Sequence, residues 1–176
     1  MPWPTNGDEP LQFLAQLPLD CLGSFPPGSL LTLFRTDRLA SEGRDNGSHC
    51  VFILRGDNLA EREPPAPDMD FAQSAIVLEE SSEIPDWPIV VEALKYEFEK
   101  TDVKPFQKFR REEFPKYATA PNVSRLGGWP GWTQSPEAED PLIAQISFSD
   151  YPPGDGGCLY VCQNGTGGLD MYLQYD

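Results

Sequence analysis

The chain has 176 residues, enough for one domain, and its 19 prolines and 15 glycines exclude a helical bundle because they force frequent turns. Its 28 Asp and Glu residues against 13 Lys and Arg residues give a formal charge of -15. This charge repels phosphate backbones and argues against direct nucleic-acid binding. It favours a basic protein partner, or it serves solubility alone.

Two strands joined by a proline-glycine turn are the first predicted elements. Residues 11–17 and 28–35 are the strands, since both are rich in apolar residues and are bounded by turn-forming residues. The turn between them contains Pro26, Pro27 and Gly28. A proline pair cannot donate ladder hydrogen bonds, so we expect strand pairing to stop there.

The middle of the chain predicts two more strands and one helix. Residues 49–55 and 74–78 contain the apolar runs typical of strands. Pro88 stands at a favoured first helical position, and a helix is predicted from there to about Lys100.

The end of the chain repeats the order of elements found at its beginning. Strands are predicted at residues 142–148 and 157–163 around a second Pro-Pro-Gly turn, followed by a closing strand at residues 169–175. Trp3-Pro4 has its counterpart in Trp129-Pro130, and Leu-Ala-Gln-Leu in Ile-Ala-Gln-Ile. The predicted fold is α+β and mainly β. Duplicated strand-turn-strand units, residues 3–35 and 129–163, form one core with one or two helices in a single domain, residues 1–176.

These motifs together resemble the YwqG-like family, a bacterial domain of unknown function. The resembling pieces are the N-terminal Trp-Pro and residues 10–16, 27–34, 126–130, 132–134, 142–145 and 154–160. The resemblance implies one α+β domain with a duplicated sheet core and brings no catalytic residues. It also implies a role for some members as immunity proteins against bacterial toxins.

No common catalytic set is evident in the sequence. The sequence contains a single histidine, His49, and no Gly-x-Ser-x-Gly nucleophile motif with which it could act. Its interpretation as a structural residue at a strand edge is therefore favoured. Cys158 and Cys162 lie in one predicted strand, too far apart for a disulfide. One histidine and four scattered cysteines lack the spacing of a zinc site. We therefore expect no enzyme activity, no metal and no cofactor.

An acidic stretch is the candidate partner-binding surface. It combines carboxylates with a tryptophan, as a surface for a basic partner should. The predicted partner-binding residues are Glu79, Glu80, Glu83, Asp86, Trp87, Asp68 and Asp70. The alternative is that this charge run is simply a solvated face.

The recurring glutamines allow two interpretations. Gln16 and Gln145 either tie down neighbouring loops, which is favoured, or line a cleft between the two repeats together with Asp155 and Trp132.

The sequence therefore predicts a non-catalytic immunity protein that neutralises a cognate toxin, such as a basic nuclease encoded nearby, by occlusion. A small-molecule-binding protein or enzyme with a cleft between the repeats is the alternative. No export signal or membrane-spanning apolar run is evident, so a cytoplasmic location without membrane association is expected.

Overall fold

Strands dominate the computed structural model of the chain, which describes residues 3–35, 49–55, 65, 75–83, 103–112, 123–135, 137–138, 140–147 and 156–175. The prediction of a mainly β fold is confirmed. The chain divides into two compact units, Met1–Leu78 and Glu79–Asp176.

The first unit contains a three-stranded antiparallel sheet in the order β3-β4-β5, beside a short ribbon of β1 and β2. The strands are β1 (Thr5–Asn6), β2 (Glu9–Pro10), β3 (Gln12–Pro18), β4 (Leu30–Arg35) and β5 (His49–Leu54). The central strand β4 is buried on both faces, as the successive residues Leu31, Thr32 and Leu33 show.

The turn before β4 is held by polar contacts. The Gly28 N–H donates to Asp20 Oδ1 at 2.6 Å, and the φ of +75° at Gly28 is one that glycine adopts without strain. The Leu19 N–H donates to the Ser29 carbonyl at 2.9 Å. Pairing begins at Leu30, after the proline pair, as predicted.

The second unit contains a four-stranded antiparallel sheet in the order β6-β7-β8-β9. Its strands are β6 (Arg125–Leu126), β7 (Leu142–Ser147), β8 (Gly157–Gln163) and β9 (Leu169–Tyr175). The first six residues of β8 are buried, so both faces of this strand are covered. The tight turn to β9 is closed by Asn164, whose Oδ1 accepts from the Gly168 N–H at 2.8 Å.

Both sheets carry a register irregularity near the start of their first long strand. In β3 it lies between Phe13 and Ala15, and in β7 it lies between Leu142 and Ala144. One residue of each strand is therefore left without a partner in the ladder, as in a β-bulge. These irregularities fall at the first residue of the Leu-Ala-Gln-Leu and Ile-Ala-Gln-Ile segments.

In the middle of the chain, the sequence predicts a strand and a helix. The predicted strand at residues 74–78 is wrong, because residues 75–78 form neither strand nor helix. Apolar, β-branched composition does not make a strand without a neighbouring strand to pair with. The predicted helix from Pro88 to Lys100 lies outside the described residues, which instead include helix α1 (Val103–Glu112). No helix in the described ranges is long and apolar enough to cross a membrane.

Candidate functional site

The segment of residues 75–83, here called the linking segment, presents apolar and acidic side chains to solvent. Ile76, Val77 and Leu78 are 51%, 79% and 48% exposed. Glu79 and Glu80 follow directly and are exposed as well. Five consecutive side chains are therefore exposed, and none of them is buried against the rest of the chain.

Glu83 differs from the two preceding glutamates because it is used inside the second unit. Its side chain is 19% exposed and forms an ion pair with Arg125, which is 13% exposed. The other carboxylate oxygen, Oε1, accepts from the Trp129 N–H at 2.7 Å. A carboxylate with both oxygens engaged in this way fixes the end of the linking segment to the loop that follows β6.

Gly128 provides the space that the Glu83 carboxylate occupies. Its φ is +71°, a left-handed conformation that side-chain-bearing residues rarely adopt. A Cβ placed on Gly128 would lie 2.0 Å from Glu83 Oε1. Gly128, noted in the sequence only as part of a family motif, therefore has a physical role in making room for the Glu83 carboxylate.

Gln145 anchors the loop of residues 127–135, here called the anchored loop. It is fully buried in β7, and its Oε1 accepts from the Gly131 N–H at 2.8 Å. Its Nε2 donates to the Val123 carbonyl at 3.1 Å. The interpretation that this glutamine ties down a loop is therefore confirmed, although the loop is not the proline-glycine turn.

Tyr160 extends the same anchoring across the sheet, since it lies opposite Gln145 in the register of β7 and β8. Its hydroxyl donates to the Gly131 carbonyl at 2.8 Å and accepts from the Thr133 N–H at 3.1 Å. Burial raises the pKa of Tyr160 to about 12, so the phenol keeps its proton and remains a donor at neutral pH.

Gln174 in β9 completes this network at the far side of the sheet. Its Oε1 accepts from the Gln134 N–H at 2.9 Å, and its Nε2 donates to the Ser135 carbonyl at 2.7 Å. Gln174 is buried, whereas its neighbour Tyr175 is 42% exposed. The closing strand was predicted from the sequence, but this role of Gln174 was missed.

Trp132 packs on this polar face. Its ring centroid lies 4.3 Å from that of Tyr160 and 6.0 Å from that of Tyr172. The indole Nε1 is buried without a hydrogen-bond partner among the described residues, which is unfavourable for a polar group.

Gln16 does not share the environment of Gln145, its counterpart in the repeat. It is exposed in β3, and its Nε2 donates to Thr32 Oγ1 at 3.2 Å. The expectation that it ties down a loop is wrong, because this bond reaches a neighbouring strand. A different residue, Gln12, is the buried glutamine of β3, and its Oε1 accepts from Arg35 Nε at 3.0 Å.

Five predicted site residues lie outside the described residues. They are Asp68, Asp70, Asp86, Trp87 and Asp155. In the part of the chain that the structure describes, no three or more His, Cys, Asp or Glu side chains are placed to hold a metal ion. All four cysteines are free thiols.

The described residues define a mainly antiparallel β protein in which buried glutamines and a tyrosine of one sheet bind the protein's own loop. The chain belongs to the DUF1963 family, described as a domain of unknown function, which matches residues 1–164. No curated protein and no solved structure matches the chain.

Proposed function

We propose that this protein is a non-catalytic binding protein of the immunity type, which neutralises a cognate toxin by occluding a basic surface of it. The observation that carries the proposal is the exposure of Glu79 and Glu80 beside an exposed apolar stretch. The net charge of -15 supports it, because a field of one sign steers a partner of opposite sign into contact. A basic nuclease fits this description of the toxin.

The structure leads us to divide the predicted partner-binding acids into two groups. Glu79 and Glu80 are exposed and available to a partner. Glu83 is committed to Arg125 and to the Trp129 N–H, and we assign it the task of positioning the linking segment. The remaining predicted members of the surface, Asp68, Asp70, Asp86 and Trp87, stay predictions.

The finer assignments made from the sequence belong to the same proposal. They are membership of the YwqG-like family, a cytoplasmic location and the duplication of the strand-turn-strand unit. The duplication is supported by the shared antiparallel order of β3-β4-β5 and β7-β8-β9, and by register irregularities at corresponding points of β3 and β7. Such irregularities are kept within families because they set the bend of a strand.

Binding to the product of the neighbouring gene tests the proposal. The full chain should retain that product in a pull-down at low salt and release more of it at high salt. A variant with Glu79→Gln and Glu80→Gln should associate about threefold more slowly or worse, because it loses two exposed charges that steer the partner. The matched control is Asp8→Asn with Glu112→Gln, which removes two exposed charges elsewhere.

Two results would count against this function. The first is that no neighbouring gene product binds at any salt concentration. The second is that deletion of the gene leaves the host equally resistant to the toxin. The alternative of a small-molecule site or enzyme has no specific observation in its favour, since both ends of the Gln145 amide bond the backbone around the anchored loop.

A further inference from the structure

The run Ile76-Val77-Leu78 has the composition of a strand but is part of no sheet formed by the described residues. Ile and Val are among the residues most enriched in strands. Residues 75–83 form neither strand nor helix, and residues 75–82 are exposed. No strand of the described part of the chain pairs with Ile76–Leu78, so a segment of strand-type composition with exposed apolar side chains is left to accept a strand from another chain.

Charge identifies the kind of strand that would pair here. Glu79 and Glu80 adjoin the apolar run and are exposed, so an incoming segment gains most if it carries Lys or Arg near these carboxylates. A second copy of this chain is a poor occupant, because two molecules of charge -15 repel each other.

We propose that residues 75–80 dock an extended segment of a basic protein by strand addition, with main-chain hydrogen bonds along Ile76–Leu78 and lysine or arginine side chains against Glu79 and Glu80. This inference deepens the proposed function and rests on it, since it names the surface and the mode by which the basic partner binds. The attachment of Glu83 holds the C-terminal end of this segment in place.

The mode of binding is tested on the full chain with a synthetic peptide of five Lys-Val repeats as the probe. Amide NMR signals of residues 75–80 should shift most on titration, and the Ile76–Leu78 amides should exchange more slowly with solvent in the complex. A peptide with alternate backbone nitrogens methylated on its pairing edge keeps the charge but cannot form the ladder. It should bind at least about tenfold more weakly, since several hydrogen bonds are lost.

Two substitutions localise the effect. Val77→Ser removes an apolar, β-favouring side chain that is 79% exposed, and it should weaken peptide binding by about fivefold or more. Val123→Ser is the matched control, because Val123 is 50% exposed and lies outside the linking segment. This variant should bind the peptide as the wild type does. Neither side chain is buried, so both variants should fold.

Four results would overturn the docking mode. They are shifts centred away from residues 75–80, equal affinity for the methylated peptide, slow exchange at Ile76–Leu78 in the free monomer, or self-association that protects these amides. The slow exchange would mean that the chain covers the run itself. If the neighbouring gene product binds Val77→Ser as well as it binds wild type, this inference fails while the proposed function stands. If the peptide docks as expected but no neighbouring product binds, the toxin assignment fails while the surface stands.

Discussion

Gln16 and Gln145 occupy matching places in the two sequence repeats, yet one is exposed and the other fully buried. Their chemistry is the same, so the difference lies in what each amide must satisfy. Gln145 supplies the acceptor for a buried backbone N–H, that of Gly131, and a donor for the Val123 carbonyl. Gln16 bonds a threonine hydroxyl at the surface of its sheet.

Replacing these two glutamines by leucine measures that difference. Gln145→Leu keeps similar volume but leaves the Gly131 N–H buried without its partner, so it should lower the free energy of unfolding by about 2 kcal/mol or more. Gln16→Leu should change it by less than about 0.5 kcal/mol, as is usual for a surface substitution. Urea denaturation of the two variants provides the measurement. Similar losses in both would show that Gln145 does not hold the anchored loop.

An alanine at Gly128 is expected to be more destabilising than an alanine at Gly7, which serves as the control. Both have positive φ, +71° and +62°, but only at Gly128 would an added Cβ meet the Glu83 carboxylate, 2.0 Å away. Gly7→Ala should therefore cost about 1 kcal/mol of backbone strain. Gly128→Ala should cost at least about 1 kcal/mol more, because Glu83 must leave the Trp129 N–H.

A Glu83→Ala background isolates that contact between Gly128 and Glu83. Without the carboxylate, the costs of Gly128→Ala and Gly7→Ala should become nearly equal. Thermal or urea unfolding of the four combinations gives the coupling. An unchanged gap between the two alanine variants would contradict the role assigned to Gly128.

The strands with the strongest apolar patterns could be predicted closely from sequence. The prediction for β8 and β9 matches the observed bounds, and that for β5 extends one residue further, to Arg55. The incorrect strand prediction at residues 75–78 cannot be explained by weak hydrophobicity, since Ala-Ile-Val-Leu is as apolar as these strands. Periodicity and composition report what a segment prefers, whereas a strand also needs a second strand to pair with, and the composition of residues 75–78 does not show whether one is present.

Because β8 is buried on both faces, the free energy of unfolding should decrease at alkaline pH. Burial, reinforced by Asp140 and Asp170, raises the pKa of Cys162 from 9.0 to about 12, and burial raises that of Tyr160 from 10.0 to about 12. Below about pH 8 both groups are almost fully protonated in the folded and unfolded chain, so they add no pH dependence. Above that pH the unfolded chain loses a thiol proton that the folded chain keeps. The free energy of unfolding should therefore fall by about 1.4 kcal/mol per pH unit for the thiol, with Tyr160 adding to the fall above about pH 10.

A Cys162→Ala variant separates the thiol from the phenol. Urea unfolding under reducing conditions between about pH 8 and about pH 10 should show a shallower decline than in the wild type. Part of the slope should remain, because burial also raises the pKa of Cys50. An identical slope in both proteins would mean that Cys162 ionises as easily in the folded state as in the unfolded one.

The position of the candidate site in the chain could be predicted from the sequence, but the different roles of its glutamates could not. The acidic stretch that includes Glu79, Glu80 and Glu83 is visible in the sequence as a charge run. Nothing local distinguishes Glu83 from the other two, because its partners Arg125 and Trp129 lie more than forty residues away. Long-range pairing of this kind leaves no periodic signal in one sequence, and the buried role of Gln174 was missed for the same reason.

The net charge of the whole chain should make its thermal stability dependent on salt concentration. A charge of -15 repels itself in the folded state, and salt screens this repulsion. Salt also weakens the attraction between Glu83 and Arg125, but both side chains are largely buried and screening there is small. The midpoint of thermal unfolding should therefore rise by a few degrees between about 20 mM and about 300 mM NaCl at neutral pH. Calorimetry at both salt concentrations checks this, with sucrose as an uncharged control for general solute effects. A midpoint that falls on adding NaCl would show that attractive ion pairs outweigh the net repulsion, and it would remove the premise that negative charge on this protein is unbalanced and free to attract a basic partner.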